Sequence, residues 1–395
     1  MTQPLLFAPI QISGVTLKNR VVIAPMHQYS ADKGFATDWH VMNAGRYAAG
    51  GAGLVIVEST KVARNGCGTV GDTALWDDKF IPNMTRVADF IKQHGAVAGI
   101  QLGHSGRKAR LSRPWEGGKP LRGNEPEIYE WDDWELVAPS AVPHTDDSPT
   151  PRAFTNAEVK EMVQKWADAA VRADKCGFDM LEIHAAHGYL LHQFLSPMSN
   201  VRNDEYGGSE ENRMRFPVEV AQAARAVWPK HKPLFMRLSC VDDAGWDLEQ
   251  SVRLSAKLKA VGIDVIDCSS GGTLKYSPMD GERSQKYGYQ VPYAETIRRE
   301  AGIMTMAVGH IVHADQAEAI LQNGQADLVA LAREVMYNPN WPMDAARKLG
   351  VDDKFAMMPP PYSYWLSRRA ASKFEGRPST YGPGIWQAGE PGAKE

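Results

Sequence analysis

Long apolar runs are missing from this chain, and none approaches the roughly eighteen residues that a membrane span needs. The N-terminal stretch Met1-Thr2-Gln3-Pro4-Leu5-Leu6-Phe7 lacks a basic n-region and a long apolar h-region, so no signal peptide is expected. Cysteine is scarce. Cys67, Cys176, Cys240 and Cys268 are scattered without a C-x-x-C, which argues against a zinc site or an iron–sulfur cluster and fits reduced thiols in a cytoplasm. A surplus of one charge is also lacking. A net charge of -3 gives no reason to expect nucleic acid or acidic lipid as partner, and patches such as Arg107-Lys108-Ala109-Arg110 read as local anion sites or solvated faces. No repeat of solenoid period is visible. What the chain does have is 395 residues, 43% of them hydrophobic, enough to bury a large core as one big domain or two smaller ones.

Short apolar runs alternate with amphipathic helical stretches. The strand-like runs are Val21–Pro25, Leu54–Glu58, Val97–Leu102, Met180–His184, Leu234–Leu238, Asp264–Cys268, Met304–Val308 and Asp327–Leu331. Helical patterns between them include Asp77–His94, Asn156–Cys176, Leu248–Val261, Ala314–Asn323 and Trp341–Leu349. Thr155 with Glu158 three residues on is a capping box, and Gly95, Gly177, Gly262 and Gly324 stand as stops after helices. Eight such units predict an α/β fold, a (β/α)8 TIM barrel, over residues 1–358. A barrel needs only about 250 residues. The excess falls in a capping insertion, 103–153, between strand 3 and helix 3, and in a C-terminal extension, 359–395, expected to contact a subunit and then to be flexible.

Barrel enzymes carry their chemistry just past the strand ends. After the fourth strand comes His184-Ala185-Ala186-His187-Gly188-Tyr189. Two imidazoles can hydrogen-bond one oxygen, and a phenol is a weak acid still protonated at neutral pH. The trio therefore suits a site that grips a carbonyl oxygen and delivers a proton nearby. The other strand ends supply Ala24-Pro25-Met26-His27-Gln28-Tyr29, Glu58-Ser59-Thr60, Gln101-Leu102-Gly103-His104, Arg237, Ser269-Ser270-Gly271-Gly272, Gly309-His310 and Arg333-Glu334. This rim is rich in donors and poor in paired carboxylates, which disfavours glycosidase chemistry. Gly309 and Ala332-Arg333 follow strands seven and eight, where barrels commonly hold a phosphate.

Leu17-Lys18-Asn19-Arg20, Ala24-Pro25-Met26, Gln101 through Lys108, His184–Tyr189, and Ser199-Asn200 through Ser209 followed by Asn212-Arg213 together resemble the Old Yellow Enzyme family. The branch they are most similar to is the bacterial thermophilic-like and xenobiotic-reductase group, and the resemblance runs from about Leu5 to Trp365. It implies an FMN-dependent ene-reductase, in which NADPH or NADH reduces the flavin and the flavin passes hydride to an activated alkene. By the same resemblance Ala24, Pro25, Met26 and His27 line the flavin, Ser59, Gln101 and Arg237 hold its ring, and Gly309, Ala332 and Arg333 bind its phosphate. His184 and His187 take the substrate's carbonyl or nitro oxygen, Tyr189 is the proton donor, and Tyr29 closes over the substrate. The tail with Trp365, Arg368 and Arg369 resembles a segment that reaches a neighbouring subunit's site, which implies a homodimer or homotetramer. Indoles of the insertion and tail (Trp115, Trp131, Trp134, Trp365) are candidates for shaping an apolar site.

Two departures from the branch stand out. His27 replaces the usual cysteine, with the expectation that it hydrogen-bonds near the flavin and makes its potential depend on pH where imidazoles titrate. Ala332 replaces a glycine, and its methyl would crowd the phosphate if the backbone there needs a positive φ. Two other classes remain open from the residues: a barrel lyase or isomerase acting on a phosphorylated substrate without flavin, and a flavin-binding protein without a substrate.

Overall fold

The computed structural model describes residues 4–121, 134–274, 286–352 and 354–371. Eight parallel strands close into a barrel: β1 (Val21–Ile23), β2 (Leu54–Lys61), β3 (Val97–Gly103), β4 (Met180–Ala185), β5 (Leu234–Ser239), β6 (Val265–Ser269), β7 (Met304–Val308) and β8 (Leu328–Leu331), in sequential order with β8 pairing β1. Each expected strand is present within a few residues. They read as near-continuous apolar runs because a parallel strand is buried on both faces.

The helices that cover them are α1 (Asp38–Ala49), α2 (Ile81–Gln93), α3 (Asn156–Lys175), α4 (Glu210–Val227), α5 (Leu248–Ala260), α6 (Val291–Ala301), α7 (Ala314–Gln322) and α8 (Trp341–Lys348). The capping box at α3 forms as expected: the Thr155 hydroxyl accepts from the Glu158 amide at 3.2 Å, and the Glu158 carboxylate accepts from the Thr155 amide at 2.8 Å. The pattern beginning at Asp77 starts its α-helix later than expected. Asp77 caps a short 3-10 turn, Asp78–Phe80, before α2 begins. Among the described residues no helix is long and apolar enough to cross a membrane.

Two apolar clusters hold the fold. The larger fills the space between barrel and helices, with Trp166, Phe178, Phe194, Phe216, Trp228 and Trp246 among its members. The smaller lies inside the barrel and is made by Val22, Leu54, Met180, Phe235, Val265, Met306 and Leu328. A hairpin of Ile10–Ile12 with Val15–Leu17 adds Ile12 and Leu17 to this inner cluster. It stoppers the end of the barrel from which the strands start, so ligand access is left to the opposite end.

Sequence periodicity also misses an irregularity in β2. Val57 pairs with Ile100 but Thr60 with Leu102, so β2 carries one residue more than β3 over that step. The bulge falls on Glu58 and Ser59. The insertion contributes a two-stranded pair, Val137–Ala138 with Arg152–Ala153, and the tail contributes a helix, Pro360–Ala371.

Candidate active site

The His184–Tyr189 segment leaves β4 through a sharp turn, with His187 at φ 58° and Gly188 at φ 69°. A positive φ on a non-glycine residue is uncommon and is held here by neighbours. The His187 amide donates to Ser239 Oγ at 2.9 Å, the Gly188 amide to His192 Nδ1 at 2.9 Å, and the Tyr189 amide to Ala186 O. The three side chains meet as expected. The His184 ring lies 5.2 Å from that of His187 and 5.0 Å from that of Tyr189, each edge-on.

A hydrogen bond selects the tautomer of His184. His184 Nδ1 accepts from the Ala186 amide at 3.3 Å, which leaves Nε2–H as a donor. His187 Nε2 lies 2.7 Å from Ser269 Oγ, a contact in which either atom can donate. Burial pushes both imidazoles well below their usual pKa, and each is lowered further by Arg237. They are neutral N–H donors. Burial pushes the Tyr189 phenol well above its ordinary value, with Tyr29 and Asp72 adding to the rise, so it stays protonated.

The β2 bulge builds the adjoining wall. Glu58 turns toward α1, where its Oε1 lies 3.0 Å from His40 Nε2, while Oε2 accepts from the Gln28 amide at 2.8 Å and lies 3.6 Å from His27 Nδ1. Burial alone would raise this carboxyl, but hydrogen bonds and charge from His27 and His40 bring it down to about 2. The His27 ring stacks on Tyr29 at 5.2 Å and meets Tyr189 edge-on at 6.1 Å. Ser59 turns toward β3, and a Cβ on Gly103 would sit 2.1 Å from its Oγ, so glycine makes the room.

One layer further in, the barrel holds a charged group. Arg237 Nε lies 3.2 Å from Asp267 Oδ2, and the Gln101 amide donates to Glu182 Oε1 at 2.8 Å. Burial raises both carboxyls, and the Arg237 guanidinium works against the rise at each. Paired carboxylates are therefore present in the barrel interior although the rim lacks them. Sequence reading missed them because each stands inside an apolar run.

Past β6, β7 and β8 opens a cavity of about 490 Å³ lined by His187, Arg237, Gly309, His310, Ala332 and Arg333 among others. Tyr289 and Gln290, from the loop before α6, also line it. Gln290 accepts from Ser270 Oγ at 2.6 Å and donates to Val308 O at 3.0 Å, and Arg333 Nη2 lies 3.3 Å from His310 Nε2. Gly309 has φ 113°, a conformation that suits glycine. At Ala332 φ is -123°, so the anticipated crowding through a positive φ is absent.

The remaining expectations divide. Ala24, Pro25 and Met26 lie just past the end of β1, and Ala24 and Met26 also border a small cavity under Gln28 and Glu58. The insertion reaches the mouth, since Arg113 Nε donates to Tyr29 O at 3.0 Å and the Trp115 ring meets that of Tyr29 edge-on at 5.7 Å. Trp134 instead packs in a buried cluster with Cys67 and Val70, its Nε1 donating to Cys67 O at 3.1 Å. Trp131 lies outside the described residues. Trp365 is 68% exposed on the tail helix, and among the described residues its ring contact is Tyr364 and not the mouth.

Fold and site together define a barrel enzyme with neutral donors and a phenol at one side of its mouth and an anion-suited cavity at the other. Comparison with known proteins agrees. The model of the NADH:flavin oxidoreductase / NADH oxidase family matches residues 5–351. An NADPH dehydrogenase of Geobacillus sp. (strain WCH70) is 44% identical over 353 residues, covering 88% of this chain and 95% of that one. An NADPH dehydrogenase of Geobacillus thermodenitrificans (strain NG80-2) is 45% identical over 351 residues, again covering 88% and 95%. Among solved structures, morphinone reductase superposes with a TM-score of 0.71 at 27% identity, covering 89% of this chain and 91% of its own. The chain belongs to the NADH:flavin oxidoreductase / NADH oxidase family, the Old Yellow Enzyme family. Its cofactor is FMN, with NADPH or NADH as reductant.

The residues present fit that cofactor. The 490 Å³ cavity is lined by two guanidinium groups, Arg237 and Arg333. A Cβ at Gly309 would come within 2.7 Å of Gln290 Nε2, so glycine leaves room for the Gln290 side chain in the wall.

Proposed function

We propose that this enzyme is an ene-reductase, reducing the activated carbon–carbon double bond of an α,β-unsaturated carbonyl or nitro compound at the expense of NADPH or NADH. The observation that carries the reading is the pair of neutral imidazoles, His184 with Nε2–H left to donate and His187 edge-on to it, beside a protonated phenol. When bound, FMN supplies the hydride chemistry that no side chain can. Negative charge then gathers on the substrate's oxygen, and donors aimed at it lower the barrier; losing one such donor typically costs about 2.7–4 kcal/mol. Tyr189 supplies the proton that the adjacent carbon needs. Gln101, Ser59 and Arg237 hold the flavin ring, Gly309, Ala332 and Arg333 its phosphate, and Ala24, Pro25, Met26 and His27 line it. Tyr29, under Trp115 and Arg113, closes over the substrate.

The tail helix presents Tyr362, Tyr364 and Trp365 to solvent, which supports a homodimer or homotetramer in which Trp365 borders a neighbouring subunit's substrate site. A monomer in sedimentation at micromolar concentration would overturn the assembly. For the activity, the visible spectrum of the purified protein should show bound flavin, bleaching anaerobically with NADPH and recovering with 2-cyclohexenone. A flavin that bleaches but is not reoxidised by enones or nitroalkenes would remove the ene-reductase reading and leave the oxidoreductase.

A further inference from the structure

Lys61, the last residue of β2, has a wholly buried side chain, as does Asp72, whose Oδ2 lies 3.4 Å from its ammonium. Asp72 is itself anchored, accepting from the Gly68 amide at 2.7 Å and from Thr69 Oγ1 at 2.8 Å. Lys61 Nζ also donates to Ser59 Oγ at 3.2 Å and lies 5.4 Å from the centre of the Tyr189 ring. A second ammonium, Lys108 Nζ, lies 5.2 Å from the same ring and is held by His187 O at 3.0 Å and Gly272 O at 3.2 Å. His27 and His184 also meet that ring edge-on.

Stability does not account for the pair. A buried lysine and aspartate gain little over apolar residues of the same size, because desolvation offsets their attraction. Their placement favours a role at the phenol. When Tyr189 gives up its proton, the O–H bond breaks, the electron pair stays on the phenolic oxygen, and the proton goes to the substrate carbon. Water later restores it. The phenolate in between is an anion in a largely buried site, and an ammonium beside its ring offsets part of the cost of forming it.

We propose that Lys61, fixed by Asp72, is a positioning residue for proton transfer from Tyr189, its ammonium serving as the standing counter-charge of the phenolate. The proposal rests on the reading of Tyr189 as proton donor. Burial drives the Lys108 pKa down to about 8, so its charge wanes above that pH, whereas Lys61 has a carboxylate 3.4 Å away.

The test places a fluorinated tyrosine at 189 in the FMN-loaded enzyme. Its more acidic phenol ionises within reach, and fluorine NMR reads the midpoint. The midpoint should be lowest with Lys61 intact, higher in Lys61→Met/Asp72→Asn, and highest in Lys61→Met, where Asp72 stays behind. The step from native to Lys61→Met should be at least about one pH unit, a tenfold change in the ionisation constant. Lys61→Arg should recover at least half of it.

An unchanged or lower midpoint in Lys61→Met overturns the proposal. Should that variant fail to fold around an orphaned Asp72, the double variant decides by the same criterion. Tyr189→Phe in the native background separates the two claims. If it slows alkene reduction but the order of midpoints is lost, only the role of Lys61 falls. If the order holds but Tyr189→Phe reduces alkenes normally, the proton-donor reading falls, and with it the catalytic purpose assigned to Lys61.

Discussion

The two sides of the barrel mouth are made differently. On the side of β2 and β4, side chains do the work, and neighbours set their protonation: the Ala186 amide chooses the His184 tautomer, and His27 and His40 hold Glu58 ionised. On the side of β7 and β8, Gly309, Ala332 and the adjoining backbone surround an open cavity, with Arg333 at its edge. A region that must move protons needs specified donors and acids, whereas one that only holds an anion needs room, amides and a cation. Substitutions on the first side should change rate, and those on the second should change affinity.

The strongest way to break that division is Tyr189→Phe. Loss of a general acid typically costs about 10²–10⁴-fold, so alkene reduction should slow by that order while NADPH still reduces the flavin at nearly its native rate. Stopped-flow measurement of the two half-reactions separates them, and equal damage to both would erase the contrast.

Glu58 ranks next. Its carboxyl is lowered in the folded protein from an ordinary 4.5 to about 2. The stability it contributes is therefore full above about pH 4.5 and is lost as pH falls from there toward 2, amounting to about 3 kcal/mol. Denaturant unfolding of native protein should show that loss across the window, and Glu58→Gln should be weaker at neutral pH and flatter with acid.

On the binding side, Arg333→Ala should weaken FMN by about 10–100-fold, the worth of a charge-assisted hydrogen bond of about 1.5–3 kcal/mol, with the kcat of the fully loaded enzyme little changed. Equilibrium dialysis and saturated turnover read the two parts.

His27 sits where the regions meet, and His27→Cys sharpens the boundary. The flavin midpoint potential of the native enzyme should vary more steeply with pH between about 5 and 8 than that of the variant. Identical profiles would assign His27 to packing against Tyr29. The smallest effect is expected for Ala332→Gly, since φ there is already negative. FMN affinity should change less than about fourfold, the equivalent of one buried methyl at about 0.8 kcal/mol.

The barrel and most of its rim were legible in the chain because buried parallel strands make unbroken apolar runs, and their ends name the mouth. His184, His187 and Tyr189 were legible because they are neighbours in sequence as well as in space. Partners from different strands were not. Glu182 and Asp267 each sit in the middle of an apolar run, and nothing local marks that they meet Gln101 and Arg237. His40 lies on α1, eighteen positions before the Glu58 that it meets, and only the tertiary fold joins them. Lys61 and Asp72 stand eleven positions apart, and only the fold brings their charges together. The Ile10–Leu17 hairpin escaped notice because strands of three residues carry too little pattern.

The extra residue in β2 has a further consequence. A strand alternates its side chains like a two-beat rhythm, and an inserted beat puts everything after it out of step with everything before. Removing Glu58 or Ser59 would therefore do more than delete one group. It would bring β2 back into phase with β3 and move Thr60 and Lys61 to the opposite faces of the strand. A deletion of one residue here should then cost more activity than Ser59→Ala and Glu58→Gln combined, because it would turn the Lys61 ammonium away from Tyr189 as well.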